Sequence, residues 1–132
     1  MLATSRRLVV ADRTLREGSW QGKHIAGLGA VQCGLGGVVL VLGFGEIGKV
    51  TARVCAALGM TVLTMRRSCT EKTVTEEGYE MYPPGKESLH ALLPRATHLM
   101  ITCPLTDETR GLIGKEEFDL LPDRAVSHTV IQ

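Results

Sequence analysis

No stretch of this 132-residue chain approaches the roughly 20 consecutive apolar residues that a bilayer-crossing helix needs, so no membrane partner is expected. An excess of charge of one sign is also lacking. Fifteen Lys and Arg stand against 14 Asp and Glu, a formal charge of +1, which gives no footprint for nucleic acid or an anionic surface. Cysteine is sparse and scattered: Cys33, Cys55, Cys69 and Cys103 form no C-x-x-C pair. That spacing argues against a disulfide framework or a metal site, and reduced thiols in a cytoplasmic protein are expected. The histidines His24, His90, His98 and His128 show no ligand spacing and read as structural or surface residues. Arg6, Arg7, Arg13 and Arg16 faintly suggest a presequence, but Asp12 and Glu17 interrupt it. Residues 1–20 therefore read as an ordinary helix leading into the domain, with Leu8, Ala11 and Leu15 on one side. At 44% hydrophobic and 22% charged, the chain has the composition of one globular domain.

What is present is concentrated after residue 37. Val38, Val39, Leu40, Val41 and Leu42 form an unbroken aliphatic run, as expected of a parallel strand buried on both faces. It feeds directly into Gly43, Phe44, Gly45, Glu46, Ile47 and Gly48, a G-x-G-x-x-G pattern. Gly43 permits a sharp turn, Gly45 lets a pyrophosphate approach the backbone, and Gly48 lets the following helix lie close to the strand. The amides of Glu46 and Ile47 open that helix, where unpaired N–H groups and the helix dipole favour an anion. Ile47, Val50, Thr51, Val54, Cys55 and Leu58 recur at helical spacing and predict the buried face. Gly59 is a natural stop, and residues 60–65 read as a second strand. Strand, glycine turn, helix and strand within about 30 residues make a dinucleotide-type βαβ unit.

Residues 21–37 are glycine-rich without a period and read as a connector, leaving 38–132 as a partial dinucleotide-binding domain. Residues 66–77 are polar and read as loop. A short third strand is expected over 79–82, a helix capped by Ser88 and ended by Pro94, and a fourth strand over 98–101. A helical turn from Asp107 or Thr109, a helix over 115–121 and a fifth strand over 125–131 complete the order. Strands alternating with helices predict an α/β fold, a doubly wound parallel sheet of about five strands.

Three segments resemble the nucleotide-binding domain of the D-isomer-specific 2-hydroxyacid dehydrogenases. Residues 35–48 are similar to that family's L-x-G-K-x-V-x-I-x-G-x-G-x-I-G, and residues 57–62 to its A-x-G-M-x-V. Residues 92–114, with Cys103, Pro104, Leu105, Thr106, Thr109 and Gly111, resemble its P-L-T-x-x-T-x-G-L-I block. The resemblance implies a Rossmann-type fold and a nicotinamide dinucleotide cofactor touched by Cys103, Pro104 and Thr109 as well as by the glycine turn. Departures accompany it. Gly37 replaces a usual lysine, and Gln132 falls about where the family's N-T-A-R-G has its substrate-binding arginine. Glutamine cannot make the bidentate, charge-assisted pair that arginine makes with a carboxylate. The family's catalytic glutamate and histidine have no counterpart, nor has its separate substrate domain; His128 lies in the wrong segment to serve as the base. The resemblance thus implies the cofactor half of an enzyme, truncated, with no assignable catalytic residue.

The second strand would end at Met65, followed by Arg66, Arg67 and Ser68, with no acid until Glu71. NAD enzymes of this architecture usually place Asp or Glu there for the adenosine ribose. Two guanidiniums and a hydroxyl instead suit a 2′-phosphate, so NADP(H) is favoured, with NAD(H) the alternative. The leading function is an NAD(P)-binding domain of an oxidoreductase acting on 2-hydroxy acids. A small 2-oxo acid becomes a partner only when missing segments complete the site. Uncovered apolar faces would then encourage self-association as a homodimer. The competing readings are a non-catalytic nucleotide-binding or regulatory module, a truncated gene product and a methyltransferase. The third glycine and the Pro104 block argue against the last.

Overall fold

Five consecutive aliphatic residues with no polar break can be satisfied only where a strand is covered on both sides, and Val38–Leu42 (β1) occupies that place. It runs through the middle of a six-stranded sheet whose spatial order is β3-β4-β2-β1-β5-β6. The computed structural model describes residues 8–19, 37–123 and 125–129. Its other strands are β2 (Thr61–Met65), β3 (Thr73–Val74), β4 (Glu80–Tyr82), β5 (His98–Ile101) and β6 (Val126–Thr129). The helices are α1 (Leu8–Arg16), α2 (Glu46–Ala57), α3 (Lys86–Leu92) and α4 (Lys115–Asp119), with a 3-10 turn over Leu93–Arg95. None of these described helices is long and apolar enough to cross a membrane.

β1 pairs in parallel with β2 on one side (Leu40 opposite Leu63) and with β5 on the other (Leu40 opposite Leu99). β4 and β6 extend the sheet in parallel beyond them. Because side chains alternate across a strand, β1 feeds two cores. Val39 and Val41 pack with Val62, Phe44, Ala52, Cys55 and Met60 under α2. Leu40 and Leu42 pack with Leu63, Leu89, Leu92, Leu93 and Leu99 on the side of α3. Each fully buried leucine is worth about 1.5–3 kcal/mol over its exposed state. These two layers therefore fix β1, and with it the turn that follows.

α2 ends where expected. The amide of Gly59, at φ +79°, donates to Ala56 O (2.9 Å) and that of Met60 to Cys55 O (3.1 Å), the paired bonds of a Schellman stop. Its buried face differs from the periodic reading. Gly48, Ala52 and Cys55 face the sheet, whereas Val50 and Val54 are 58% and 53% exposed. The small residues form their own i, i+4, i+7 stripe, and only such a stripe lets the helix axis come as close as Gly48 requires. α1 leaves Leu8 and Leu15 exposed and buries none of its residues. It carries two i,i+4 ion pairs, Arg13–Glu17 and Arg16–Asp12, each at 2.9 Å.

Two local expectations are corrected. Residues 66–77 are not all loop, since Thr73 and Val74 pair antiparallel with β4 and cover its outer edge. Ser88 does not cap α3; the Leu89 amide already donates to Gly85 O (3.0 Å), so the N-cap lies three residues earlier, at Gly85. The short helical turn expected from Asp107 or Thr109 is present, closed by the Arg110 amide donating to Thr106 O (2.8 Å). The connector expected over 21–37 lies, apart from Gly37, outside the described residues, as do the end of the fifth strand and Gln132.

α3 and α4 are tied by Glu117. Its carboxylate accepts from the Gly114 amide (2.9 Å) and from His90 Nε2 (2.8 Å), while Lys86 pairs with Glu116 (2.7 Å). The His90 bond, then the Gly114 amide, hold the Glu117 carboxyl down at about 2 against an ordinary 4.5. A carboxyl depressed in the folded state contributes stability above its unfolded value, and the contribution is lost as pH falls from 4.5 towards about 2. Thermal melts from pH 6 to pH 3 should therefore show a shallower acid decline in Glu117→Gln than in the parent, and a lower Tm at pH 6. Parallel declines would remove Glu117 from the acid response.

Candidate functional site

The chain order β1, β2, β4 moves outward on one side of β1, then returns to place β5 on its other side. That reversal opens a crevice beyond the carboxyl ends of β1 and β5, the place where doubly wound sheets bind ligands. The glycine turn sits in it. Gly43 has φ +96°, and a Cβ there would stand 2.6 Å from the backbone nitrogen of Cys103. Only glycine meets both demands. A Cβ on Gly48 would lie 2.1 Å from Gly43 O. A Cβ on Gly45 meets nothing within 4 Å, so that position opens outward.

Gly45 is the N-cap of α2 and has no side-chain cap. The first helical bond runs from the Lys49 amide to Gly45 O (2.9 Å), which leaves the preceding amides without an intrahelical acceptor. Those amides and the dipole of a 12-residue helix offer an anion-binding cradle. Glu46 is exposed beside it and paired with Lys49 at 3.4 Å, which offsets part of its repulsion. Phe44 turns away; it is 3% exposed and meets Tyr79 edge-on, so only its backbone faces the crevice. Ile47 is half-buried at the helix start.

The crevice has two flanks. On one, Arg66, Arg67 and Ser68 follow β2 and are all exposed. On the other, Cys103, Pro104 and Thr109 follow β5. Cys103 is half-buried against Gly43, and burial pushes its thiol up, so the group facing the turn is neutral. Pro104 is exposed. The Thr109 hydroxyl donates to Pro104 O (2.6 Å) and accepts from the Thr106 amide (2.8 Å), which shapes the loop from within. The sequence-predicted residues thus gather at one end of the sheet.

Thr102 escaped the sequence reading. Its hydroxyl lies 2.7 Å from Gly43 O, and its amide donates to Leu42 O (2.9 Å), which locks the end of β5 to the glycine turn. Nothing in its local sequence marks it, because its partner is 59 residues away. His128 is not brought to the crevice. Its register opposite Met100, itself opposite Val41, puts it on the α2 side of the sheet. There burial lowers its pKa, and its Nε2 has no hydrogen bond among the described residues.

Known proteins share this arrangement. Residues 1–127 match the family model described as the D-isomer specific 2-hydroxyacid dehydrogenase NAD binding domain. A glyoxylate reductase of Thermococcus onnurineus is 32% identical over 96% of the chain, which spans 37% of that protein. A D-3-phosphoglycerate dehydrogenase of Archaeoglobus fulgidus is 32% identical over 96% of the chain and 22% of its own length. The solved D-isomer specific 2-hydroxyacid dehydrogenase of Xanthobacter autotrophicus Py2, in complex with NADPH and MES, superposes with a TM-score of 0.75. It is 27% identical, with 98% of this chain and 38% of that one covered. The chain therefore spans little more than a third of the glyoxylate reductase it matches. Given the matched model, the glycine turn and the doubly wound sheet, the chain belongs to the D-isomer-specific 2-hydroxyacid dehydrogenase family and carries its NAD-binding domain.

Proposed function

We propose that this domain binds NADP(H) in preference to NAD(H), with the pyrophosphate at Gly43 to Gly48 and the adenosine 2′-phosphate at Arg66, Arg67 and Ser68. The carrying observation is the flank after β2: two exposed guanidiniums and a hydroxyl stand where an acid would serve a free ribose. A bidentate guanidinium contact suits a phosphate dianion, and each charge-assisted bond is worth about 1.5–3 kcal/mol. The Xanthobacter relative solved with NADPH supports the same choice. On the other flank, Cys103, Pro104 and Thr109 would line the adenosine, and Thr102 would hold the turn in shape.

In the whole protein we propose that the bound dinucleotide exchanges a hydride with the carbonyl carbon of a glyoxylate- or hydroxypyruvate-like 2-oxo acid, while a proton goes to its oxygen. No residue of this chain is assigned as the carboxylate-binding cation or the proton donor. A cytoplasmic setting fits the free thiols Cys55, Cys69 and Cys103. Self-association as a homodimer fits the exposed Leu8, Val9 and Val10 of α1 and Val50 and Val54 of α2.

The nucleotide preference is tested by calorimetry with NADP+ and NAD+. Arg66→Ala combined with Arg67→Ala should weaken NADP+ about tenfold or more and NAD+ little. Equal losses would reduce the pair to a solvated loop.

A further inference from the structure

Arg67 does not stand free at the crevice. Its Nη1 lies 3.6 Å from Glu108 Oε2, on the opposite flank. β2 and β5 pair with β1 on opposite sides, so their carboxyl ends are two strand spacings apart, about 10 Å. The Arg67–Glu108 pair spans that gap and is the only ion pair joining the two flanks among the described residues. Both side chains are open to solvent, at 83% and 75% exposure, so the pair can break at little cost.

We propose that Glu108 sets nucleotide specificity by holding Arg67 across the mouth of the crevice, in competition with the 2′-phosphate. The inference rests on the reading of Arg67 as a 2′-phosphate ligand. A dinucleotide lying along the strand ends passes beneath the pair. One with a 2′-phosphate must also take Arg67 from Glu108, and it leaves that carboxylate facing a second anion. One with a free ribose incurs neither cost. Glu108 thus lowers affinity for the phosphorylated nucleotide alone. It places the discriminating acid on the flank after β5, where β2 itself ends without one. Glu108 is a positioning residue, acting through Arg67.

The test titrates the full chain by calorimetry with adenosine 2′,5′-bisphosphate, AMP, NADP+ and NAD+. Glu108→Gln should bind NADP+ and the bisphosphate about two- to fivefold more tightly, with NAD+ and AMP unchanged. Glu108→Lys should exceed it, and both gains should shrink as salt rises. In an Arg67→Ala background, Glu108→Gln should gain markedly less, which separates coupling through Arg67 from a general charge effect. Unchanged NADP+ affinity in Glu108→Gln, with Arg67→Ala still weakening it, overturns the latch and leaves the 2′-phosphate reading standing. If Arg67→Ala itself leaves NADP+ binding intact, that reading fails and the latch with it. A loss of NAD+ affinity in Glu108→Gln would make Glu108 a ribose ligand and likewise overturn the proposal.

Discussion

Gly48→Ala is expected to lose about 3 kcal/mol of folding stability, with Tm lower by roughly 10 °C. One methyl group ordinarily costs far less. Here it would stand 2.1 Å from Gly43 O, with Thr102 Oγ1 at 3.1 Å. Neither neighbour can yield cheaply. Gly43 O belongs to backbone fixed by the Met65 carbonyl, which accepts from the Gly43 amide at 3.0 Å, and by the Cys103 segment behind it. Thr102 Oγ1 is the group that bonds this same oxygen at 2.7 Å. Making room for the methyl therefore means lifting α2 off β1. That would loosen Ala52 and Cys55 from the core they share with Val39 and Val41. Against a total stability of about 5–15 kcal/mol, the loss is large. Urea and thermal unfolding measure it directly. A Tm within a degree of the parent would show that the helix does not rest on Gly48.

Gly45→Val should show the opposite pattern: nucleotide binding weakened about 100-fold or more, with the fold largely kept. Gly45 has φ −90° and ψ −161°, an extended conformation open to any residue, and its Cβ would meet nothing within 4 Å. The cost to folding is confined to a poorer N-cap, about 1 kcal/mol or less. The isopropyl group would fill the space from which a pyrophosphate reaches the first amides of α2. Losing two charge-assisted bonds of about 1.5–3 kcal/mol each accounts for the predicted factor. Calorimetry with NADP+, beside a melt of the same sample, separates the two effects. Affinity kept while a valine occupies position 45 would move the pyrophosphate away from this turn. The two glycines lie three residues apart in one motif, yet one serves the fold and the other the ligand.

The contrast shows where sequence information runs out. A β-branched and aliphatic run, glycines at fixed spacing and a helix stop at Gly59 act over a few residues. Local sterics and hydrogen bonding dictate them, so β1, the turn, the span of α2 and β2 were legible, as were the family blocks that carry the flanks. Which side of α2 faces the sheet was legible only in part: Cys55 is buried as its spacing predicts, and Ile47, Thr51 and Leu58 are half-buried. The periodic valines Val50 and Val54 predicted one face, but the contact between Gly48 and Gly43 admits only a small-residue stripe. The strand Thr73–Val74 forms because β4 offers an unpaired edge, a condition set by where β4 packs. The Thr102 clamp joins atoms 59 residues apart, and the Arg67–Glu108 pair exists only because β2 and β5 both flank β1. Sequence by itself determined the pieces and their chemistry, since short-range backbone preferences suffice for that. Tertiary structure alone decided which residues from distant pieces face one another across the crevice, because through-space distance depends on the packing of the whole sheet.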